Sequence, residues 1–475
     1  MHASERLLSA CSVTPLAACL VSALLPATPA SAATTWTVNN CGDAVVGSGT
    51  SGSLRYAAAN ASSGDTVNIV CSAISLTTGA VVLGQTDITI NGPAPQHAVI
   101  QAVSPPANGN ILDHAGIGYL KVSYITAEYG SKSSATGSVY GGCIYSNGNL
   151  YLDHVSVYKC TAHSTAAAGY AFGGGVATKG SLTITSSLLS HNTASSDLHE
   201  SVGGGTFAYA GLAMSKSTVE GNTATGAQGY GGGVYVSGNF TTVTISDSTV
   251  SGNTASFNSG GVSIYDATIA NASTVSIINS TITGNYSGGR MGGVYVIAGT
   301  VKLISSTIAN NTAKQETDPR FPNVLRGPGV EIFGDKTSSV VYLQSTLIAN
   351  NTYGPSSIED DFHTSVRNGS SNTVTFDASS ANNLVRATLR TTMPGGTIAG
   401  VCPLLGPLRD NGGSTKTLAL LSHSPGIEQG NNVTNLTFDQ RGTPYVRVSG
   451  ASADIGAYEV QQNDIVFDAG FEGCP

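Results

Sequence analysis

Apolar and polar positions along this chain alternate with period two in short bursts, as in Val243-Thr244-Ile245 and Val275-Ser276-Ile277. Runs of this kind, cut every few residues by Gly, Asn and Ser, predict strands. No stretch sustains the spacing of an amphipathic helix. The bursts sit inside a recurring phrase. Gly-Gly-aliphatic opens each copy and Ser-Thr-(Val/Ile/Leu)-x-x-Asn closes it. The glycine before the aliphatic residue falls at Gly175, Gly205, Gly233, Gly261, Gly293 and Gly329, in steps of 30, 28, 28, 32 and 36. A recurrence at this period marks a stacked solenoid. With about three strands per copy, each copy is expected to form one turn of a parallel β-helix, every strand pairing with its counterpart one turn along. The fold class predicted is therefore all-β, a right-handed parallel β-helix, and about ten turns would give a rod about 45–50 Å long.

The two halves of the phrase have separate physical roles in that geometry. Glycine takes a left-handed corner without a Cβ clash. Asparagine tolerates such corners and carries both donor and acceptor. Asn192, Asn222, Asn253, Asn285, Asn311 and Asn351 are therefore expected to stack as a hydrogen-bonded ladder, with Cys160 in the asparagine place one turn earlier. The row reads as structure, not as a ligand site. These phrases resemble the repeats of polymorphic outer-membrane proteins and related bacterial exported β-helix proteins. Those often carry Phe three residues before the Asn; here the place holds Leu189, Val219, Val250, Ile282 or Ile308.

Charged residues make up 10% of the chain and the net charge is −8, so there is no basic footprint for nucleic acid. Residues 1–32 have the anatomy of a signal peptide: Arg6, the apolar stretch Leu16–Leu25, then Ala30-Ser31-Ala32. Leu16-Ala17-Ala18-Cys19 also fits a lipoprotein cleavage pattern, but it lies mid-stretch, which favours ordinary secretion. No other segment is apolar for long enough to span a membrane. The expected location is extracellular or on the cell surface, associated with an outer membrane. Six cysteines remain after such processing: Cys41, Cys71, Cys143, Cys160, Cys402 and Cys474. An even set in an exported chain predicts disulfides. Nearest-neighbour pairing (41–71, 143–160, 402–474) is the expectation among the open connectivities.

The two ends depart from the repeat. Gly52-Ser53-Leu54-Arg55-Tyr56-Ala57-Ala58-Ala59-Asn60 resembles the N-terminal C-S-L-R-E-A motif of secreted bacterial β-helix proteins, with Ser53 for Cys and Tyr56 for Glu. It predicts a short capping helix over 54–59, with Ser53 as N-cap and Arg55 as a tie within the cap. Residues 402–460 hold Cys402-Pro403-Leu404-Leu405-Gly406, Asp410-Asn411-Gly412-Gly413, Ser424-Pro425-Gly426, Asp439-Gln440-Arg441-Gly442 and Asp454-Ile455-Gly456-Ala457-Tyr458-Glu459. In this order they resemble the choice-of-anchor Q domain of bacterial surface proteins. The resemblance implies location more than chemistry, and Asp439, Arg441, Asp454 and Glu459 read as a network closing the last turns. The layout expected is a signal segment (1–32), cap and first turns (33–100), β-helix repeats (101–401), anchor-type module (402–460) and tail (461–475).

Chemistry is sought where the repeat breaks. Insertions follow the Asn corner in several turns, the richest being His163–Phe172, Ser195–Val202, Lys314–Gly327 and Tyr353–Asn372. The last two are expected to face one another across a groove. Together they bring Asp318, Arg320, Arg326 and Glu331 towards Glu359, Asp360, Asp361, His363 and Arg367. The catalytic candidates are thus Asp360, Asp361, His363, Arg326 and Arg367, and Glu359, Asp360 and Asp361 are candidate Ca²⁺ ligands; no other cofactor is implied. Leu152-Asp153-His154 resembles the Asp-His pair of pectate lyases but falls at an ordinary turn position. Outward aromatic residues after the repeat glycines, Phe207, Tyr235 and Tyr295, are candidate ligand-binding rings. The leading reading is a noncatalytic monomer that binds a polysaccharide or surface protein. The alternative is a polysaccharide lyase or glycoside hydrolase working between the 314–327 and 353–372 loops.

Overall fold

The computed structural model describes residues 32–103, 108–266, 273–314, 327–335, 337–354, 358–367, 369–462 and 464, with backbone alone for 317–318 and 321–325. Except for Ala32, the expected signal segment lies outside the described residues, as do Cys11, Cys19, Cys474 and nearly all of the tail.

From Ala33 onward the chain forms one compact unit, a parallel β-helix. Each full turn visits four sheets rather than the three strands expected. In one such turn Ile144–Ser146 belongs to sheet 4, Asn149–Asp153 to sheet 1, Ser156–Tyr158 to sheet 2 and Thr161–Ser164 to sheet 3, before Val176–Thr178 returns to sheet 4. Sheet 1 has 14 strands, sheet 2 has 11, and sheets 3 and 4 have 10 each. Pairing along the rod is parallel and in register, for example Val243↔Val275↔Val301 and Ile245↔Ile277↔Leu303 in sheet 1. Alternation sends these residues inward, where they form one continuous core running from Trp36 to Val385.

Left-handed residues turn the chain at three of the corners. Ser186, Lys216, Asp247, Asn279 and Ser305 turn sheet 1 into sheet 2; His191, Gly221, Gly252, Gly284, Asn310 and Asn350 turn sheet 2 into sheet 3; Gly173, Gly203, Gly231, Ser259 and Met291 lead into sheet 4. Several are not glycine. The next turn's backbone supplies the hydrogen bonds that hold them there, as in His191 N to Glu220 O at 3.1 Å and Lys216 N to Ser246 O at 3.2 Å.

The asparagine ladder forms along its whole length. Each Nδ2 donates to the next turn's Oδ1 at 2.9 Å, from Asn192 through Asn222, Asn253, Asn285 and Asn311 to Asn351. Each side-chain oxygen also accepts the previous rung's backbone N–H, beginning with Cys160 N to Asn192 Oδ1 at 2.9 Å. The last acceptor is not an asparagine. Asn351 donates both N and Nδ2 to Asp361 Oδ1, at 2.9 and 2.8 Å. The repeat glycine is the ladder's floor: a Cβ on Gly175 would lie 2.9 Å from the Asn192 amide, and one on Gly293 would lie 2.5 Å from Gly329 O. That is why the two halves of the phrase travel together. A second row, not anticipated, lines the corner from sheet 1 to sheet 2. There the backbone N–H groups of Ser187, Ser217, Ser248 and Ser280 donate to the hydroxyl one turn on, ending at Ser306 Oγ.

The N-terminal cap is as expected. Helix Leu54–Asn60 starts at Ser53, whose Oγ accepts from Tyr56 N. Arg55 ties the cap down, pairing with Asp43 at 2.6 Å and donating to Gly79 O and Ala80 O. Disulfides Cys41–Cys71 and Cys143–Cys160 brace the first turns, matching nearest-neighbour pairing. Cys402 is also disulfide-bonded.

At the other end the expectation needs correcting. Residues 377–401 close the last turn: Val385 N donates to Ile398 O, Asp361 N to Ala387 O, and Met393 packs on the core. Residues 402–460 instead fold back along the outside of sheet 2. Their contacts run from Lys416 on Glu220 (3.1 Å), through Gln440 on Thr281 (2.6 Å) and Ala457 N on Thr307 Oγ1 (2.9 Å), to Asn431 on Ser345 (2.7 Å). Sheet 2 offers threonine and serine hydroxyls outward, so an irregular segment docks there with its own backbone groups satisfied. Inside the segment Asp439 and Arg441 pair at 2.7 Å, both fully buried, with the guanidinium 3.8 and 3.9 Å from the ring centres of Tyr445 and Tyr458. Glu459 accepts from Ser449 N and Asp454 N. Asp454 accepts from Glu428 N at 2.8 Å and Val460 N at 2.7 Å, so all four charged side chains are engaged within the segment.

Candidate functional site

The outward positions of sheet 4 form a single file along the rod. Asp113, Tyr145, Ala177, Phe207, Tyr235, Ser263, Tyr295, Glu331 and His363 are successive register partners. The aromatic candidates and the acid–histidine candidates, far apart in sequence, therefore share one file. Beside it runs a second file, Tyr140, Phe172, Val202, Tyr230, Asn258 and Arg290, paired turn on turn. Long sheet-3 strands, Thr193–Val202 and Thr223–Tyr230, carry part of this second file. They belong to the insertions after the Asn corner, which is why the extra chain ends up as a wall beside sheet 4.

In the N-terminal half of the file the rings gather. Tyr140 stacks on Phe172 at 4.6 Å, Phe172 meets Phe207 at 4.8 Å and Phe207 stacks on Tyr235 at 6.2 Å. Phe207, Val202 and Ala177 are buried beneath, forming a satellite core. Above them lies an open groove of about 460 Å³, lined mainly by rings and by Lys179, Glu200 and Ser237. Tyr209 stands at its rim, 50% exposed. Lys179 Nζ sits 5.3 Å over the Tyr140 ring. Burial, then Tyr140 and Asp113 nearby, pushes the Tyr145 hydroxyl up to about 12. Burial, then Glu200, pushes Tyr235 up as well. These phenols therefore stay neutral and able to donate. Of the sequence candidates, Phe207 and Tyr235 line the groove; Tyr295 lies two rungs beyond Tyr235 in the file and does not.

In the C-terminal half the candidates are engaged one by one, and the expected carboxylate cluster does not form. Glu359 pairs with Arg386 Nη1 at 2.6 Å. Asp360 accepts from Leu389 N at 3.1 Å and lies 3.2 Å from His363 Nδ1, both side chains buried. Asp361 ends the asparagine ladder and also accepts from Ala387 N at 2.8 Å. Burial pushes its carboxyl up to about 7, against those three donated hydrogen bonds. The three acids precede the strand Phe362–Val366, and each is drawn to a different partner: Arg386, His363 and Asn351. Among the described residues no group of three or more His, Cys, Asp or Glu is placed to hold a metal ion. The Ca²⁺ reading of Glu359, Asp360 and Asp361 is corrected accordingly. Arg367 pairs with buried Asp335. Glu331 is fully buried, accepting from Gly327 N at 3.0 Å and from Ser365 Oγ. Arg320 and Arg326 lie outside the described residues, as does the side chain of Asp318.

The Asp153–His154 pair is a 3.0 Å surface contact at a corner, with the His154 ring stacked on Tyr124 at 4.8 Å. It has the turn role its place in the repeat implied. Sequence reasoning missed the second file, and with it Tyr140, Phe172 and Tyr230. For Phe172 and Val202 the signal was present in the insertions His163–Phe172 and Ser195–Val202, whose landing place needed the four-sided turn.

No protein-family model matches the chain, and no curated protein does. Among solved structures it is similar to a crystal structure of pectate lyase Pel9A. Identity is 15%, over 90% of this chain and 97% of that one, with a TM-score of 0.43. No helix among the described residues is long and apolar enough to cross a membrane.

Proposed function

We propose that this is an exported, noncatalytic β-helix protein that holds a glycan in the groove of sheet 4, on a cell surface or in the medium. The observation that carries this reading is the open, ring-lined groove beside Phe207 and Tyr235, on a face that the C-terminal segment leaves uncovered. Aromatic rings beside fixed polar groups suit the alternating C–H and hydroxyl faces of a sugar. Support for export comes from the signal-like leader and from disulfides in the first turns. The resemblance of residues 402–460 to choice-of-anchor Q modules of bacterial surface proteins agrees with that location.

Binding is preferred to the lyase or hydrolase alternative because Glu359, Asp361 and Arg367 are engaged with Arg386, Asn351 and Asp335, and the Asp360–His363 pair is buried. A general acid–base pair needs groups free to reach a substrate. The test is to measure retention of the full-length mature protein on a panel of immobilised polysaccharides while assaying the same panel for chain cleavage, with and without Ca²⁺. Retention without cleavage is the expected result. Cleavage that disappears in Asp360→Ala, with the variant still folded, would replace this reading with the enzymatic one.

A further inference from the structure

The charges around the groove narrow the class of glycan. We infer that the groove takes a neutral pyranose chain rather than a polyanionic one, an inference that rests on the glycan-binding reading above. Within the groove one cation, Lys179, stands with one anion, Glu200. At the N-terminal end of the file Asp113 lies 3.9 Å from Lys132, again one of each sign. These four side chains sum to zero, and the wall strand Thr193–Val202 adds the exposed Asp197, on a chain whose net charge is −8. A polyanion such as a uronate chain would meet no excess of positive potential here and a repulsive field overall.

The remaining lining fits hydroxyl-bearing rings. Tyr209 and Tyr235 offer ring surface. Ser237 and the neutral Tyr235 hydroxyl stand at the groove as uncharged hydrogen-bonding groups. A carboxylate such as Glu200 accepts from sugar hydroxyls, and an ammonium such as Lys179 donates to sugar oxygens. The groove follows the stacking direction of the turns, where equivalent positions recur every ~4.8 Å. An extended chain lying along the rod therefore meets Lys179, Tyr209 and Ser237, and beside them Phe207 and Tyr235, on successive turns. A single compact ligand would use only one step of it.

The test compares a soluble neutral polysaccharide (a β-glucan or galactomannan) with polygalacturonate by affinity electrophoresis, at low salt and after a roughly tenfold rise in ionic strength. The neutral chain is expected to retard the protein about equally at both. Tyr209→Ala, at an exposed rim position, is expected to weaken retardation about fivefold to tenfold, and Lys179→Met only about twofold to threefold. Circular dichroism would confirm that both variants fold. Preference for polygalacturonate, abolished by salt and by Lys179→Met, would overturn the neutral-chain inference while leaving glycan binding in place. No retardation by any polysaccharide, or capture of a proline-rich peptide instead, would overturn both.

Discussion

Sheets 2 and 4 lie two faces apart in either direction around the turn, and each carries residues that are foreign to the repeat. On sheet 2 those residues are charged and sealed in: Asp439, Arg441, Arg447, Asp454 and Glu459 are all at most 2% exposed. On sheet 4 they are aromatic, and the groove beside them stays open. The contrast runs against the habit of looking for function where charges cluster. In a chain with so few ionisable groups, the densest cluster closes a segment onto the rod, and the groove belongs to tyrosine and phenylalanine. Perturbed carboxyls mark buried networks as readily as active sites.

Four measurements would break or sharpen that contrast. The largest effect is expected at Arg441. Arg441→Ala leaves Asp439 buried without its partner, at a cost of about 3–5 kcal/mol, and should release the 402–460 segment from sheet 2. Chemical denaturation should then show an earlier transition for that segment while glycan retention persists. Loss of glycan binding in step with the segment would erase the distinction between the two faces.

The pH response should be nearly as large. Burial, and Asp454 beside it, pushes Glu459 up to about 7. Between the ordinary carboxyl range and about 7 the folded segment therefore holds a proton that the unfolded chain has released. Stability should fall as pH rises through that window, by on the order of 3 kcal/mol. Glu459→Gln should flatten the slope in thermal melts from acid to neutral pH; an unchanged slope would show that another group titrates.

Asp361 gives a smaller, sharper test. Asp361→Ala strands three donors, two N–H groups of Asn351 and the Ala387 N–H, and should cost about 2–3 kcal/mol. Asp361→Asn supplies a seventh amide rung for Asn351 but gives up the bond from Ala387 N, so it should cost about 1–2 kcal/mol, less than the alanine variant. A catalytic aspartate would tolerate neither change in an activity assay, so equal loss of a measured activity in both variants would restore the enzymatic reading. Smallest of all, Tyr209→Ala should move stability by less than about 0.5 kcal/mol while weakening glycan retention. A large loss of stability there would make the rim ring part of the core.

Much of the frame was legible in the linear chain because it depends on contacts between equivalent positions. Gly175 and Asn192 lie 17 residues apart (192 − 175), yet each requires the other, and the pair repeats in every later turn. Cys160 in the asparagine place and Ser53 as N-cap could likewise be read directly, since each needs only its local slot. Legibility failed where a residue's partner lies outside the repeat. Asp361 looked like one of three clustered acids because nothing in Glu359-Asp360-Asp361 shows that a ladder arrives from Asn351. The side-on docking of residues 402–460 was hidden for the same reason: Gln440 and Thr281 are 159 residues apart.

By itself, then, the sequence determined the solenoid, its parallel pairing, its N-terminal cap and the edge from which insertions leave. Period-two alternation and a repeated glycine–asparagine pair admit few other arrangements once every backbone group must find a partner. The tertiary structure alone decided the number of faces, which face the C-terminal segment covers and which aromatic rings meet. Those depend on left-handed corners at ordinary residues such as Lys216 and His191, held by the neighbouring turn's carbonyls, and no local preference announces them.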